Sequence, residues 1–259
     1  MQQARSSQKL TKRQQRLAEK GQPKQHERGT ARVPTIQQQN FDPKYINPIT
    51  RNQELTFEAF NSGANLFLHG CAGTGKTFIS IYLALKEVMD KRSDCSRLVI
   101  IRTAQSSKDI GFLPGTEKQK LEVYEAAYRA ICAEIFGRSD AYDVLKQKGI
   151  IEFHSTSFLR GTTIDNAVIL VDEVQNQRYV ELRTVLTRTG DSSRIILCGD
   201  TKQDDLTSDR FKESSGLVNM MKVFERMGSM STVQFGIDDI VRSGFVKDFI
   251  IAENELGLY

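Results

Sequence analysis

The stretch Gly70-Cys71-Ala72-Gly73-Thr74-Gly75-Lys76-Thr77 fits the phosphate-cradling pattern G-x-x-x-x-G-K-[ST] at every position the pattern fixes. Glycines let the backbone wrap tightly enough for successive N–H groups to aim at phosphate oxygens. Lys76 supplies a cation for the β- and γ-phosphates, and Thr77 supplies a hydroxyl for Mg²⁺. A helix beginning here points the positive end of its dipole at the anion. The whole stretch, Gly70 to Thr77, is therefore the expected nucleoside triphosphate site. Its flanks agree, because Asn65 to His69 reads as a short buried strand entering the loop and Phe78 to Leu85 as a mostly buried helix leaving it. A chance glycine-rich turn would not carry the Lys-Thr pair in this strand–loop–helix setting.

Outward from this motif, a chain of 259 residues is long enough to bury a sizeable core. Its net charge of +4 is unevenly spread. Up to Val33 there are nine Lys or Arg against Glu19 and Glu27, a net +7, so the remainder carries −3. The expectation is a disordered basic arm over residues 1–40, since Gln-, Lys-, Arg- and Ser-rich sequence buries too little apolar surface to offset its ordering entropy. Such an arm serves either as a nucleic-acid contact or only as a solvated tail. No apolar stretch has signal-peptide length, and the run from Ala167 to Val171 is far too short to span a bilayer. The expected location is cytoplasmic. Cys71, Cys95, Cys132 and Cys198 form no C-x-x-C pair and read as reduced, semi-buried thiols, with Cys71 and Cys198 close enough along the expected fold to be oxidation-sensitive.

From residue 41 to 259 the pattern is that of one ATPase domain. Pro43 and Pro48 mark an extended lead-in, followed by a helix from about Asn52 to Phe60. Strands are expected at Asn65–His69, Arg97–Arg102, Ile150–Phe153, Val168–Val171, Arg194–Cys198 and Ser231–Phe235. Helices are expected from the phosphate loop to about Lys91, at Glu117–Phe136, Val180–Leu186 and Gly216–Met227, and without interruption from about Ile237 to Asn254. The segment from Thr103 to Gly115 must be a loop. Strands alternating with helices give an α/β fold with a mainly parallel sheet covered on both faces.

Ala167-Val168-Ile169-Leu170-Val171-Asp172-Glu173 is an apolar strand ending in two carboxylates. Beside a phosphate loop, Asp172 is the expected metal ligand and Glu173 the group that activates or positions the attacking water. The second carboxylate argues against a small-molecule kinase, which must keep water away from the γ-phosphate. A third strand ends in Leu197-Cys198-Gly199-Asp200-Thr201-Lys202-Gln203, at the carboxyl edge where open α/β sheets bind ligands. Gln203 is the candidate sensor of the γ-phosphate or of the water, although Gly-Asp-Thr-Lys is also ordinary turn chemistry.

Together these pieces resemble the PhoH family of P-loop ATPases, whose core is similar to the RecA-like motor of superfamily 1 helicases. The resemblance runs from about Ile46 to the end of the chain. It rests on Asn52-Gln53, Gly111-Phe112-Leu113-Pro114-Gly115, Arg160-Gly161-Thr162-Thr163, Asp172-Glu173-Val174-Gln175-Asn176, Leu186-Thr187-Arg188, Gly199 to Gln203 and Val241-Arg242. It implies that Gln53 reads the adenine edge of ATP and that Arg242 belongs to a C-terminal arginine motif. It also implies that Arg160 and Arg188 lie near the nucleotide or a subunit boundary. The chain departs from the family at Ile101-Arg102-Thr103-Ala104, where Thr-Arg-Pro-Ala is usual, and at Ser243-Gly244, where His-Pro is frequent. At this length, the PIN nuclease domain fused to some members is not expected. A compact member with a basic arm is similar to versions carried by phages, for which the compartment would be the host cytoplasm.

The resemblance implies an ATPase acting on RNA or single-stranded DNA as a helicase or translocase. One motor lobe must take its transition-state arginine from itself or from a neighbour. The expectation is a homo-oligomeric ring, a hexamer, with Arg242 or Arg188 of one copy completing the next copy's site. The competing classes are an ATP-dependent remodelling protein with a protein partner, and a nucleotide-binding module with little turnover. The presence of both Glu173 and Gln203 disfavours the latter.

Overall fold

The computed structural model describes residues 41–102, 117–156, 161–200 and 216–257. The expected arm at 1–40, the Gly111–Gly115 loop, Arg160 and Gln203 lie outside the described residues. Among the described residues six strands form one sheet: β1 Asn65–Gly70, β2 Arg97–Arg102, β3 Ile151–Ser155, β4 Ala167–Asp172, β5 Arg194–Gly199 and β6 Met230–Phe235. Their order is β3-β2-β4-β5-β1-β6 and every neighbouring pair is parallel. β4 lies inside the sheet and all six of its residues are buried, which is why its sequence is a continuous apolar run rather than an alternating one.

Successive side chains on a strand point to opposite faces, so each strand feeds two cores. Leu66, Leu68, Leu98, Ile100, Val168, Leu170 and Ile196 share one core with helices α1 Arg51–Asn61, α2 Lys76–Met89, α3 Glu117–Phe136 and α4 Ala141–Gln147. Phe67, Val99, Ile101, Ile169, Val171, Ile195 and Leu197 share the other with α5 Tyr179–Leu186 and α6 Leu217–Phe224. This is the expected α/β arrangement, a parallel sheet covered on both faces.

The topology positions the site. β1 and β2 are consecutive in sequence but separated in the sheet by β5 and β4. The connecting α2 therefore crosses both strands and packs against β2, β4 and β5, in the crossover geometry that parallel strands require. Its first turn passes the carboxyl end of β4.

The structure adds one helix to those expected and corrects another. The seven-residue α4 was not expected, because Ala141, Tyr142 and Leu145, its buried residues, span too little sequence for a helical period to repeat. The uninterrupted helix expected from Ile237 to Asn254 is instead a 3₁₀ turn, Ile237–Asp239, an extended break at Ile240 with ψ 119°, and a helix α7, Gly244–Glu255. The break exists because its polar groups bond elsewhere. Asp239 Oδ2 accepts from Gly236 N–H at 2.9 Å, and Val241 N–H donates to Gly73 O at 3.0 Å. The four cysteines are buried rather than semi-buried, and none is bridged.

Leu170 is fully buried at the middle of the sheet. Leu170→Ala is expected to lower the unfolding free energy by about 2–5 kcal/mol, read as a reduced urea midpoint at unchanged slope. A loss near zero would mean that this core is not packed as described.

Candidate active site

The phosphate loop leaves β1 at the carboxyl edge and turns directly into α2. Gly73 and Gly75 have φ values of 71° and 80°, left-handed conformations that residues with a Cβ adopt at a cost. Gly73 has a second reason to be glycine, because a Cβ there would lie 2.9 Å from Arg242 Cγ. Thr74 Oγ1 donates to Cys71 O at 3.0 Å and closes the loop from within. Lys76 Nζ folds over it, donating to the carbonyls of Gly70 at 2.9 Å and Cys71 at 2.5 Å. Burial pushes the Lys76 ammonium below its ordinary pKa, opposed by the negative charge of Asp200 foremost.

The two carboxylates of the strand end are handled differently. Asp172 is 4% exposed and held from both sides: Oδ1 accepts from Thr77 Oγ1 at 2.9 Å and Oδ2 from Tyr128 OH at 2.9 Å. Burial and then the Asp172 charge push the Tyr128 phenol well above its usual pKa, so it remains a donor. Glu173 sits at φ 55° and ψ 48°. This left-handed backbone costs ~1–3 kcal/mol for a non-glycine residue and persists only where the surroundings enforce it. It turns the chain so that both carboxyls line the same cleft. Gln175 Nε2 donates to Glu173 Oε2 at 2.6 Å. Burial and the adjacent Asp172 raise the Glu173 pKa, while Arg102 works against the rise. Arg102 ends β2 in register with Asp172 and lies 5.1 Å from the centre of the Tyr124 ring.

The cleft has a volume of about 950 Å³, within the range of ligand sites. It is walled by the lead-in from Lys44 to Ile49, by Ala127, Ala130 and Ile131 of α3, and by the phosphate loop, Asp172, Glu173, Asp200 and Arg242. Gln53 links two of these walls. Its Oε1 accepts from Ile49 N–H at 3.0 Å and its Nε2 donates to Thr74 O at 3.1 Å. The amide thus braces the lead-in against the loop, with one donor and one acceptor position beyond these two bonds.

Asn52, beside it, donates to Asp239 Oδ2 at 2.6 Å. That bond fixes the 3₁₀ turn from which Val241 reaches Gly73 and Arg242 lays its stem on the loop. Arg242 is thus brought to the phosphate loop of its own chain. Arg188 is not. Its carbonyl accepts from Ile164 N–H, just ahead of the start of β4, so it lies at the amino edge of the sheet, opposite the loop.

Sequence patterns missed Tyr128, Arg102, Gln175 and Asp239. Tyr128 carried only the signal of an apolar helix position, and Asp239 that of an ordinary helix start. Gln175 stood in a recognisable string without a role. Among the described residues no helix is long and apolar enough to cross a membrane.

With the geometry in hand, the family model and the curated relatives point to one family. The family model described as PhoH-like protein matches residues 45–253. The PhoH-like protein of Mycobacterium leprae is 29% identical over 226 residues, covering 83% of this chain and 62% of that protein. Protein PhoH of Escherichia coli K12 is 31% identical over 211 residues, covering 80% and 58%. The chain thus spans about 60% of the length of these curated relatives. Among solved structures, the Pif1 helicase from Candida albicans aligns at 19% identity with a TM-score of 0.39, covering 82% of this chain and 44% of that one. An overlap that loose carries no argument about this chain.

The Asp239 latch has a pH signature. Burial works against its charge, but hydrogen bonds from Asn52 and Thr50 outweigh it and hold the carboxyl below its ordinary value. Its contribution to stability is therefore complete above about pH 4 and lost as pH falls through the lower folded value. The difference in urea stability between the native chain and Asp239→Asn should shrink below about pH 4. A difference that stays constant down to pH 2 would show that the carboxylate charge is not what holds the turn.

Proposed function

Because the chain belongs to the PhoH-like protein family, we propose that it binds ATP with Mg²⁺ at the carboxyl edge of its sheet and hydrolyses the γ-phosphate. The observation that carries this reading is the meeting of Thr77 and Asp172 at 2.9 Å beside a complete phosphate loop. A hydroxyl and a carboxylate converging there are the oxygen donors that Mg²⁺ takes. Held by Thr77 and Asp172, Mg²⁺ would supply charge neutralisation to the β- and γ-phosphate oxygens. The loop N–H groups and the start of α2 bind the phosphates. Lys76 exchanges the Gly70 and Cys71 carbonyls for phosphate oxygens. Glu173, whose carboxyl lines the same cleft, orients water and takes its proton. Gln203 senses the γ-phosphate or that water. Arg242 stabilises transition-state charge within its own chain, and Gln53 adds base contacts through its remaining donor and acceptor.

The reading extends to RNA or single-stranded DNA as the substrate on which the ATPase works. It is supported by the net +7 of the first 33 residues, a charge that suits phosphate backbones. It also includes a homo-oligomeric ring, a hexamer. Arg188 lies across the sheet from its own loop, so it could serve a nucleotide only in a neighbouring copy. One observation favours a second reading, a remodelling ATPase with a protein partner: Phe245 and Phe249 of the C-terminal helix and Leu256 just after it are exposed at 83%, 55% and 71%.

ATP hydrolysis with and without RNA and single-stranded DNA tests the reading. Turnover should rise with one of the nucleic acids. Lys76→Ala should lose nucleotide binding or turnover. Glu173→Gln should still bind mant-ATP, a fluorescent analogue, while hydrolysing about 10²–10⁴-fold more slowly. Native turnover in Lys76→Ala contradicts the site, and turnover indifferent to both nucleic acids favours the protein partner. Mixing exchangeable Arg242→Ala and Glu173→Gln subunits should give no more than the summed activities. Recovery would place Arg242 in trans.

A further inference from the structure

The geometry points to Gln175 as a positioning residue for Glu173, an inference that rests on the hydrolysis proposed above. Gln175 is 1% exposed and lies in the short 3₁₀ turn after Glu173. It makes two hydrogen bonds to two different strand ends. Nε2 donates to Glu173 Oε2 at 2.6 Å, beyond β4, and Oε1 accepts from Asp200 N–H at 3.0 Å, beyond β5. A main-chain N–H can only donate and a carboxylate can only accept, so the amide has one orientation that satisfies both. Reversing it would set donor against donor and acceptor against acceptor. The approach also needs the glycine that ends β5. A Cβ on Gly199 would lie 2.5 Å from Val174 Cγ2 and 3.1 Å from Gln175 Oε1.

This arrangement suits a base. A bond of 2.6 Å to a carboxylate is a short, charge-assisted one that fixes the acceptor's direction. The donor is a neutral amide, so it directs the Glu173 carboxylate without placing a formal charge beside it. With Oε2 engaged, Oε1 is the oxygen offered to water. Glu173 also stands on a left-handed backbone, φ 55°, where its direction depends on its surroundings more than on local preference. The link to Asp200 makes that direction follow β5, the strand whose continuation carries Gln203 in the sequence. The simpler alternative is that Gln175 only satisfies the buried Asp200 N–H, with its contact to Glu173 incidental.

A double-mutant cycle separates the two. The full chain, Gln175→Met, Gln175→Glu, Glu173→Gln and the double variant Gln175→Met with Glu173→Gln are compared in single-turnover ATP cleavage. Mant-ATP affinity and the thermal unfolding midpoint are measured on each. Methionine keeps the length and removes both bonds, while glutamate keeps an acceptor for Asp200 N–H and removes the donor to Glu173. A misaligned catalytic group costs on the order of 10²-fold, so both single variants at Gln175 are expected to cleave ATP roughly 10–100-fold more slowly, with mant-ATP affinity nearly unchanged. In the Glu173→Gln background, Gln175→Met should add almost nothing, because the group it positions is already gone.

The inference is overturned if Gln175→Met costs the same factor in both backgrounds, if the loss appears in affinity rather than in cleavage, or if Gln175→Glu cleaves ATP at the native rate. Should Gln175→Glu fail to fold, the methionine cycle decides alone. If the unmutated chain cleaves no ATP, the hydrolysis reading falls first and takes this inference with it. If the chain is active and Gln175→Met matches it, this inference alone falls.

Discussion

The hydroxyl of Thr77 and the carboxylate of Asp172, 2.9 Å apart, join the two halves of the site, and the topology exists in a form that makes them meet. Thr77 is in the first turn of the helix after β1, and Asp172 is the last residue of β4, two strands away in the sheet. Only a helix that crosses β5 and β4 on its way to β2 can bring its start over that strand end. Tyr128 closes the same carboxylate from α3. Asp172 is thus a junction of sheet, phosphate loop and covering helix. Its burial is tolerable because both oxygens are hydrogen-bonded, which offsets the cost of taking a carboxylate out of water.

A second layer surrounds this junction. Asn52 and Gln53, adjacent on α1, divide the work: Gln53 holds Thr74 of the loop, and Asn52 holds Asp239 in the turn that leads to Arg242. Two neighbouring residues therefore set both the loop and the arginine laid across it. The extended break at Ile240 costs the C-terminal segment its helical hydrogen bonds, and the Val241–Gly73 bond is one of those that replace them. The break has a functional consequence, since a continuous helix from Ile237 would have carried Arg242 away from the loop.

Much of this was legible beforehand, for physical reasons. The phosphate loop declares itself because its glycines, lysine and threonine act within eight consecutive residues. The strands declare themselves because burial on both faces forces β-branched and aliphatic runs such as Ala167–Val171. What stayed hidden depends on contacts distant in sequence. Tyr128 is 44 residues from Asp172, and Asp239 is 187 from Asn52. No local pattern records that a tyrosine on an amphipathic helix ends on a carboxylate, or that an aspartate interrupts what reads as a helix. Arg188 shows the opposite limit, since its motif position suggests nearness either to the nucleotide or to a subunit boundary, and the fold shows only that it lies away from the phosphate loop of its own chain.

The proposed function requires Asp172 and Thr77 to be the oxygen donors of a nucleotide-bound divalent cation. Electron paramagnetic resonance of Mn²⁺, substituted for Mg²⁺, reads this directly in the full chain with a non-hydrolysable ATP analogue. The prediction is a bound Mn²⁺ signal that requires the nucleotide and is lost or strongly weakened in both Asp172→Asn and Thr77→Ala. A nucleotide-dependent Mn²⁺ signal of native strength in Asp172→Asn would contradict it.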